Sequence, residues 1–229
     1  MDKYLVEPTA YERWSRAYSA GSDKRYPNID LVRLDAWFFQ KKSGKLLEYG
    51  FGCGVNLIHL LSSGYDVDAV EIIPEAKNLV ESKLESSGLS STQCRLHLLD
   101  VTDEKLPFQS SYFDYITCVS VLSVLGSKER ISRLLSEFHR VLKRGGKLIV
   151  DINDAKSDFA KDGIPQGDDR FLYPANPRGN DTQAMTVCLS NSEDFRRLLE
   201  PFFQVDHEGY SEHKLMHSHI KEYIFCCHK

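Results

Sequence analysis

The sequence lacks the features of several large classes of protein. No apolar run approaches the roughly 20 residues that cross a bilayer, and residues 1–11 contain no apolar core of signal-peptide length. The six cysteines include no CxxC pair, so their spacing does not indicate a disulfide framework. We therefore expect a cytoplasmic protein with reduced thiols and without a membrane anchor.

An excess of positive charge is also absent. The 229 residues include 29 Lys and Arg against 33 Asp and Glu, which leaves a net charge of -4. A chain of this charge has no overall basic field to hold a phosphate backbone, so a nucleic-acid partner is not expected. His213, His217 and His219 lie close together but have no acidic ligand at the spacing of a known metal site, so no metal is expected.

The sequence does contain an alternation of strand-like and helix-like segments. Buried strands are predicted at KLLEYG, YDVDAVEII, CRLHLLD, FDYITCVSVL and RGGKLIVDIN, mostly with amphipathic helices between them. Two closing strands, FFQVDHEG and HIKEYIFCC, follow one another without a helix and must run antiparallel. The alternation predicts an α/β fold with a Rossmann-like seven-stranded sheet, mostly parallel with an antiparallel last strand, and helices on both faces.

The domain organisation follows from where this alternation begins and lapses. We expect a single domain over residues 1–229, a length that can bury one core. Within it we predict an N-terminal helical segment at 1–43, a cofactor-binding core at 44–152, an insertion at 153–189, and a C-terminal helix with the closing strands at 190–229. The insertion is polar, contains several glycines and prolines, and is too long for a simple connector.

Three glycines follow the first predicted strand in the stretch EYGFGCG. Without a Cβ atom, Gly50 and Gly52 let the chain turn tightly under a ligand, and Gly54 lets the next helix begin close to the strand. The dinucleotide fingerprint G-x-G-x-x-G would require glycine at the position of Val55, which weakens the interpretation as a nicotinamide-dependent dehydrogenase. Glu48 would repel a diphosphate at close range and instead favours a cationic or zwitterionic ligand.

A second acidic residue, Glu71, ends the second predicted strand about 20 residues after Gly50, where a carboxylate accepts hydrogen bonds from ribose hydroxyls. These residues indicate a ligand with a ribose and a positive charge. The chain resembles the class I S-adenosylmethionine-dependent methyltransferases, especially their small-molecule branch, over about residues 45–152. EYGFGCG matches the acidic-x-Gly-x-Gly-x-Gly pattern of that family. The resemblance places Glu48 near the cofactor's amino group and the glycines under its methionine portion.

The resemblance implies further contacts with the cofactor. Glu71 matches the ribose-binding acid, with Ile72 beside it, Asp100 and Val101 match the residues that meet the adenine, and Val119 matches the wall beside the methionine portion. It also implies S-adenosylmethionine as the cofactor and S-adenosylhomocysteine as the product. The implied reaction is an in-line transfer of a methyl group to an oxygen, nitrogen or carbon of a small-molecule acceptor.

The N-terminal segment is predicted to be a lid over this cofactor, as in related methyltransferases. Tyr11, Trp14 and Tyr18 stand at helical spacing. The rings of Trp14, Tyr18 or Tyr26 could attract a sulfonium by cation–π contact. Core packing of the same rings is the alternative.

The acceptor pocket is predicted between this lid and the insertion, because the acceptor must approach from the loops after the fourth and fifth strands. Phe171 and Tyr173 could close on an apolar acceptor, Arg170 or Arg178 could hold an acidic one, and Tyr11 is assigned to the same pocket. A plain surface loop is the alternative for the insertion.

The sequence does not identify a catalytic base. His139, His213 or a tyrosine of the lid are candidates if the acceptor is a hydroxyl. The absence of an identifiable base keeps a second function open, a non-catalytic S-adenosylmethionine-binding module or regulatory subunit of the same fold.

Overall fold

A computed structural model of the chain describes residues 5, 7–40, 43–89, 93–174, 183–216 and 218–229. The helices are α1 (Pro8–Ser19), α2 (Ile29–Leu34), α3 (Val55–Ser62), α4 (Pro74–Ser87), α5 (Lys128–Val141), α6 (Asp158–Lys161) and α7 (Ser192–Leu199). A π-helical turn, Asp35–Phe39, follows α2, and a 3-10 turn, Leu122–Leu125, precedes α5. The strands are β1 (Lys45–Tyr49), β2 (Asp66–Glu71), β3 (Cys94–Leu98), β4 (Phe113–Cys118), β5 (Leu142–Asp154), β6 (Ile164–Gly167), β7 (Arg170–Tyr173), β8 (Ala184–Leu189), β9 (Gln204–Leu215) and β10 (Ser218–His228).

The ten strands form one hydrogen-bonded sheet rather than the seven-stranded sheet predicted, because the insertion adds β6, β7 and β8. The other seven strands lie in the order β3-β2-β1-β4-β5-β10-β9. The pairs from β3 to β5 are all parallel, whereas β10 is antiparallel to both β5 and β9. The prediction of a Rossmann-like α/β fold with an antiparallel last strand is therefore confirmed. The carboxyl ends of the parallel strands β1, β2 and β4 meet at one edge of the sheet, where such folds bind their ligands.

Helices cover both faces of the sheet because neighbouring strand residues point to opposite sides. On one face, the apolar stripe of α5 packs against Leu47 and Tyr49 of β1 and against Phe195 of α7. On the other face, α3 and α4 cover Leu46 of β1 and Ala69 of β2. The six cysteines are buried as free thiols. Within the described residues, no helix combines the length and the apolar character of a membrane span.

The insertion contains three short strands, although its sequence breaks the alternation of the core. Strand β8 pairs parallel with the end of β5, and β7 and β6 continue from it as antiparallel neighbours. Asn153 of β5 pairs with both β8 and β10, so β8 occupies the edge of β5 that β4 leaves free beyond Cys118. The insertion therefore extends the sheet at its ligand-binding edge.

Candidate functional site

A cavity of about 340 Å³ lies at the carboxyl ends of β1, β2 and β4. Its floor comes from the turns after these strands, and α1 and the chain that leads to α2 complete the wall. The predicted site residues that line it are Trp14, Tyr18, Tyr26, Gly50, Gly52, Glu71, Ile72 and Val119. The fold thus brings together eight of the residues selected from the sequence, contributed by five separate segments.

The glycine turn after β1 is shaped for close approach. Gly52 has a φ of 51°, and a Cβ atom there would lie 2.7 Å from the hydroxyl of Tyr18 on α1. At Gly54, which begins α3, a Cβ atom would lie 2.5 Å from a methyl group of Val80 on α4. A side chain at Gly52 would therefore fill the cavity, whereas one at Gly54 would push two helices apart.

Glu71, at the end of β2, holds the turn in place. One carboxylate oxygen accepts a hydrogen bond from the Gly52 N–H at 2.9 Å, and the other accepts one from the Ile72 N–H at 2.7 Å. Burial raises the pKa of Glu71, and the backbone N–H groups oppose that shift because they stabilise the charged form. A carboxylate has about four acceptor positions, so Glu71 can accept ribose hydroxyls in addition to these amides.

Glu48 lies on β1 and is 3% exposed, and it is not among the residues that line the cavity. Its Oε2 atom has no hydrogen-bond partner among the described residues. Burial, and secondly the charge of Glu71, raise the pKa of Glu48 to about 8. The structure therefore places beneath the glycine turn a carboxyl group that a nearby positive charge would ionise.

The aromatic wall is formed by α1. The rings of Trp14 and Tyr18 stack with their centroids 6.0 Å apart. The hydroxyl of Ser15 donates a hydrogen bond to Glu75 of α4 at 3.1 Å, which ties this face of α1 to the core. Tyr26 also lines the cavity but is 80% exposed, so it stands at the entrance.

Four further predicted residues do not line the cavity: Tyr11, Gly54, Asp100 and Val101. The carboxylate of Asp100 is exposed and accepts hydrogen bonds from the N–H and the hydroxyl of Thr102 at 2.8 and 2.6 Å. Val101 is 37% exposed. The contact of Asp100 and Val101 with the adenine remains a prediction, since the Asp100 carboxylate forms its hydrogen bonds within its own loop.

The insertion contacts α1 rather than the cavity. Arg13 of α1 lies over the ring of Tyr173, 5.0 Å from its centroid, and the Met185 N–H donates to the hydroxyl of Thr9 at 3.2 Å. Arg170 and Phe171 do not line the cavity either. Arg178 and His217 lie outside the described residues. In the part that the structure describes, the insertion supports the helix that forms the aromatic wall.

Sequence reasoning missed several residues of the cavity wall. They are Glu7, Lys24, Asn56 and Ser120, each adjacent to the cavity from a different element. The position of Asn56 in the sequence could have identified it, because it directly follows the glycine turn at the start of α3. In the structure its Oδ1 accepts a hydrogen bond from the Asn28 N–H at 2.8 Å. The other three carry no pattern by which the sequence separates them from ordinary surface residues.

Comparison with known proteins agrees with this geometry. Residues 47–150 match the family model described as a methyltransferase domain. The chain is 28% identical over 116 residues to the sterol 4-C-methyltransferase strm-1 of Caenorhabditis elegans, which covers 51% of this chain and 33% of that protein. The chain thus matches about a third of the length of this curated relative.

Solved structures share the fold over most of the chain. A S-adenosylmethionine-dependent methyltransferase from Methanosarcina mazei superposes with a TM-score of 0.73 and 20% identity, covering 90% of this chain and 99% of that one. The 1,6-didemethyltoxoflavin-N1-methyltransferase of Burkholderia thailandensis, solved with S-adenosylhomocysteine, gives a TM-score of 0.64 at 17% identity, covering 100% and 93%. The match to the methyltransferase domain supports the resemblance stated from the sequence, and the solved structures show that the fold is shared with proteins that use S-adenosylmethionine.

Proposed function

We propose that this chain, whose residues 47–150 match the methyltransferase domain, is a class I S-adenosylmethionine-dependent methyltransferase that transfers a methyl group to an oxygen, nitrogen or carbon of a small-molecule acceptor. The observation that carries the proposal is the cavity itself. It combines the carboxylate of Glu71, the bare backbone at Gly50 and Gly52, and the rings of Trp14 and Tyr18.

These groups fit the cofactor part by part. A ribose needs a carboxylate acceptor, which Glu71 supplies at the end of β2. An aliphatic amino-acid portion needs room against the backbone, and a Cβ atom at Gly52 would remove that room. A positively charged sulfur gains from aromatic faces, which α1 presents. The unpartnered oxygen of Glu48 belongs to a carboxyl group that the positive charge of the bound cofactor would ionise.

When bound, S-adenosylmethionine supplies an already activated methyl group, so the protein mainly positions the acceptor and excludes water. Trp14 and Tyr18 would close the cavity on one side, and the Glu71–Gly52 hydrogen bond would hold the glycine turn in one conformation. Positioning of this kind can contribute roughly 7–11 kcal/mol to lowering a barrier. No residue is assigned as a base in this proposal.

The class of acceptor is supported by the relatives. One is named for methylation at carbon and another for methylation at a ring nitrogen, and both names specify small molecules. The competing function is a binding module that keeps the nucleoside pocket without transferring the methyl group.

Two measurements test the proposal. Calorimetry should show binding of S-adenosylhomocysteine and none of NAD, and a metabolite library should yield an acceptor that releases S-adenosylhomocysteine in a coupled assay. Binding without turnover on any acceptor would favour the module, and binding of NAD alone would overturn the proposal.

A further inference from the structure

Two acidic side chains share one face of the sheet beside the cavity. Asp151 of β5 lies opposite Ile224 of β10, and Glu222 of β10 lies opposite Asn153 of β5. Directly opposed residues of an antiparallel pair point to the same face, and so do residues two apart on one strand. Asp151 and Glu222 are therefore diagonal neighbours on one face, and the typical distance between the Cα atoms of such neighbours is roughly 7–8 Å. Two negative charges at this spacing repel one another unless a positive group or a hydrogen-bond donor lies between or beside them.

A third acid and a polar strand complete the surroundings. Ser211 of β9 lies opposite Glu222, and its hydroxyl is 2.8 Å from Nε2 of His213. The same His213 nitrogen is 3.7 Å from a carboxylate oxygen of Asp30, in the first turn of α2. Four elements, α2, β5, β9 and β10, thus converge on one acidic cluster, defined here as Asp30, Asp151 and Glu222.

Asp151 shows that this cluster is incomplete. It is 2% exposed, and its Oδ1 accepts a hydrogen bond from the Ser120 N–H at 2.7 Å. Its Oδ2 has no hydrogen-bond partner among the described residues. A buried carboxylate oxygen without a partner is costly, so Oδ2 of Asp151 can accept a hydrogen bond from a ligand.

The charges around Asp151 point to a cationic donor. Burial raises the pKa of Asp151, and Glu222 and Asp30 raise it further, while Lys24 and His213 partly offset the charge of Glu222. Three carboxyl groups therefore face two basic side chains. A positive charge placed among them would stabilise the ionised forms of the acids.

The acidic cluster lies directly behind the cavity wall. Ser120, which binds Asp151, lines the cavity, and so do Lys24 and Asn28. The Asn28 side chain accepts the Asp30 N–H at 2.8 Å. The cluster is on the β4 and β5 side of the cavity, whereas Glu71 is on the β2 side. Glu71 and the cluster therefore lie toward opposite sides of the cavity, separated by β1 and β4 in the sheet order.

We propose that Asp30, Asp151 and Glu222, none of which lines the cavity itself, form an acceptor subsite that adjoins the cavity and recognises a protonated amine of the acceptor. This inference rests on the proposed function, because it takes the cavity as the cofactor site. An ammonium group has three donors, so it supplies a partner to Oδ2 of Asp151 and to Glu222 at once. The subsite thereby selects acceptors by charge.

The test uses three monosubstituted benzenes of similar size and different charge: benzylamine, benzyl alcohol and benzoate. Their affinities are measured by calorimetry at pH 7.5, with and without saturating S-adenosylhomocysteine. Benzylamine should bind at least about tenfold more tightly than either other probe. Asp151→Asn and Glu222→Gln should each reduce that preference to within about threefold of equality.

The variants separate this inference from loss of folding and from the proposed function. Asn at position 151 still accepts the Ser120 N–H, so Asp151→Asn should fold, which circular dichroism checks. Glu212→Gln is the matched control, because Glu212 is on the same hairpin but pairs with His219 on the opposite face of β9. Its preference for benzylamine should equal that of the wild type.

Equal binding of the three probes, or a preference that survives both substitutions, overturns the inference. If S-adenosylhomocysteine binds in the calorimeter while the amine preference is missing, the subsite fails and the proposed function stands. If S-adenosylhomocysteine does not bind, the proposed function fails, and an amine preference that depends on Asp151 would still assign the cluster as an amine site but not as an acceptor subsite.

Discussion

Replacing Glu48 with glutamine should make the protein more stable at neutral and alkaline pH. Glu48 is buried beneath the glycine turn with an unpartnered Oε2, and its pKa rises from 4.5 to about 8. A carboxyl group with a raised pKa takes up a proton on folding between these two pH values. Its contribution therefore lowers the free energy of unfolding as the pH rises through this window, and it vanishes below about pH 4.5.

The size of the effect follows from the displacement of the pKa. A difference of about 3.5 in pKa, at about 1.4 kcal/mol per pH unit, sets a ceiling of about 5 kcal/mol. The linkage relation predicts that Glu48→Gln gains about 1 kcal/mol over the wild type at pH 5, about 3 at pH 7 and about 4 at pH 8. An unpaired amide in the variant would subtract a constant of about 1–3 kcal/mol at every pH. The slope against pH is therefore the diagnostic quantity.

Urea denaturation of both proteins at pH 5, 6, 7 and 8 measures this slope. An acid with a raised pKa that does not interact with Glu48, such as Asp151, is common to both proteins and cancels in the difference. Glu85→Gln, at an exposed glutamate of α4, controls for the loss of one negative charge. A stability difference between Glu48→Gln and the wild type that stays constant from pH 5 to 8 would refute the reasoning.

Three substitutions test the cavity. Gly52→Val should abolish S-adenosylhomocysteine binding in calorimetry without loss of the circular dichroism spectrum, because its Cβ atom would lie 2.7 Å from the Tyr18 hydroxyl; undiminished affinity would contradict this. Glu71→Ala should weaken the same binding by roughly 1–3 kcal/mol, since the ribose hydroxyls lose their acceptor and the glycine turn loses the hydrogen bonds that hold its shape. Trp14→Ala should reduce affinity for S-adenosylmethionine by about 0.5–2 kcal/mol more than for the uncharged S-adenosylhomocysteine, whereas equal losses would exclude a cation–π contact.

The parts of the site that the sequence predicts are those fixed by local spacing. Gly50, Gly52 and Glu71 stand at strand ends, and the parallel order of β1 and β2 brings strand ends together whatever the rest of the chain does. Trp14 and Tyr18 are predicted to share a face because they are four residues apart on one helix.

The parts that the sequence does not predict depend on contacts between distant segments. Asp151 interrupts an apolar strand, which is a visible signal, but its meaning requires the register that places Glu222 beside it. The strands of the insertion are only four to six residues long and are separated by glycine and proline, so no periodicity reveals them. The carboxylate of Asp100 accepts a hydrogen bond from the nearby Thr102 N–H. The spacing of the family's motif residues does not predict this local hydrogen bond.

The position of α1 makes completion of the cavity a late event. Its contacts reach Glu75, Tyr173 and Met185, with separations of 60 residues for Ser15–Glu75 and 176 for Thr9–Met185. Closing such long loops costs chain entropy. We therefore expect the sheet and α4 to form before α1 packs against them. The complete pocket exists only in the molecules whose first helix is docked. Measured cofactor affinity is then the intrinsic affinity multiplied by that docked fraction, and a bound cofactor in turn stabilises the contacts of α1 with α4 and with the insertion.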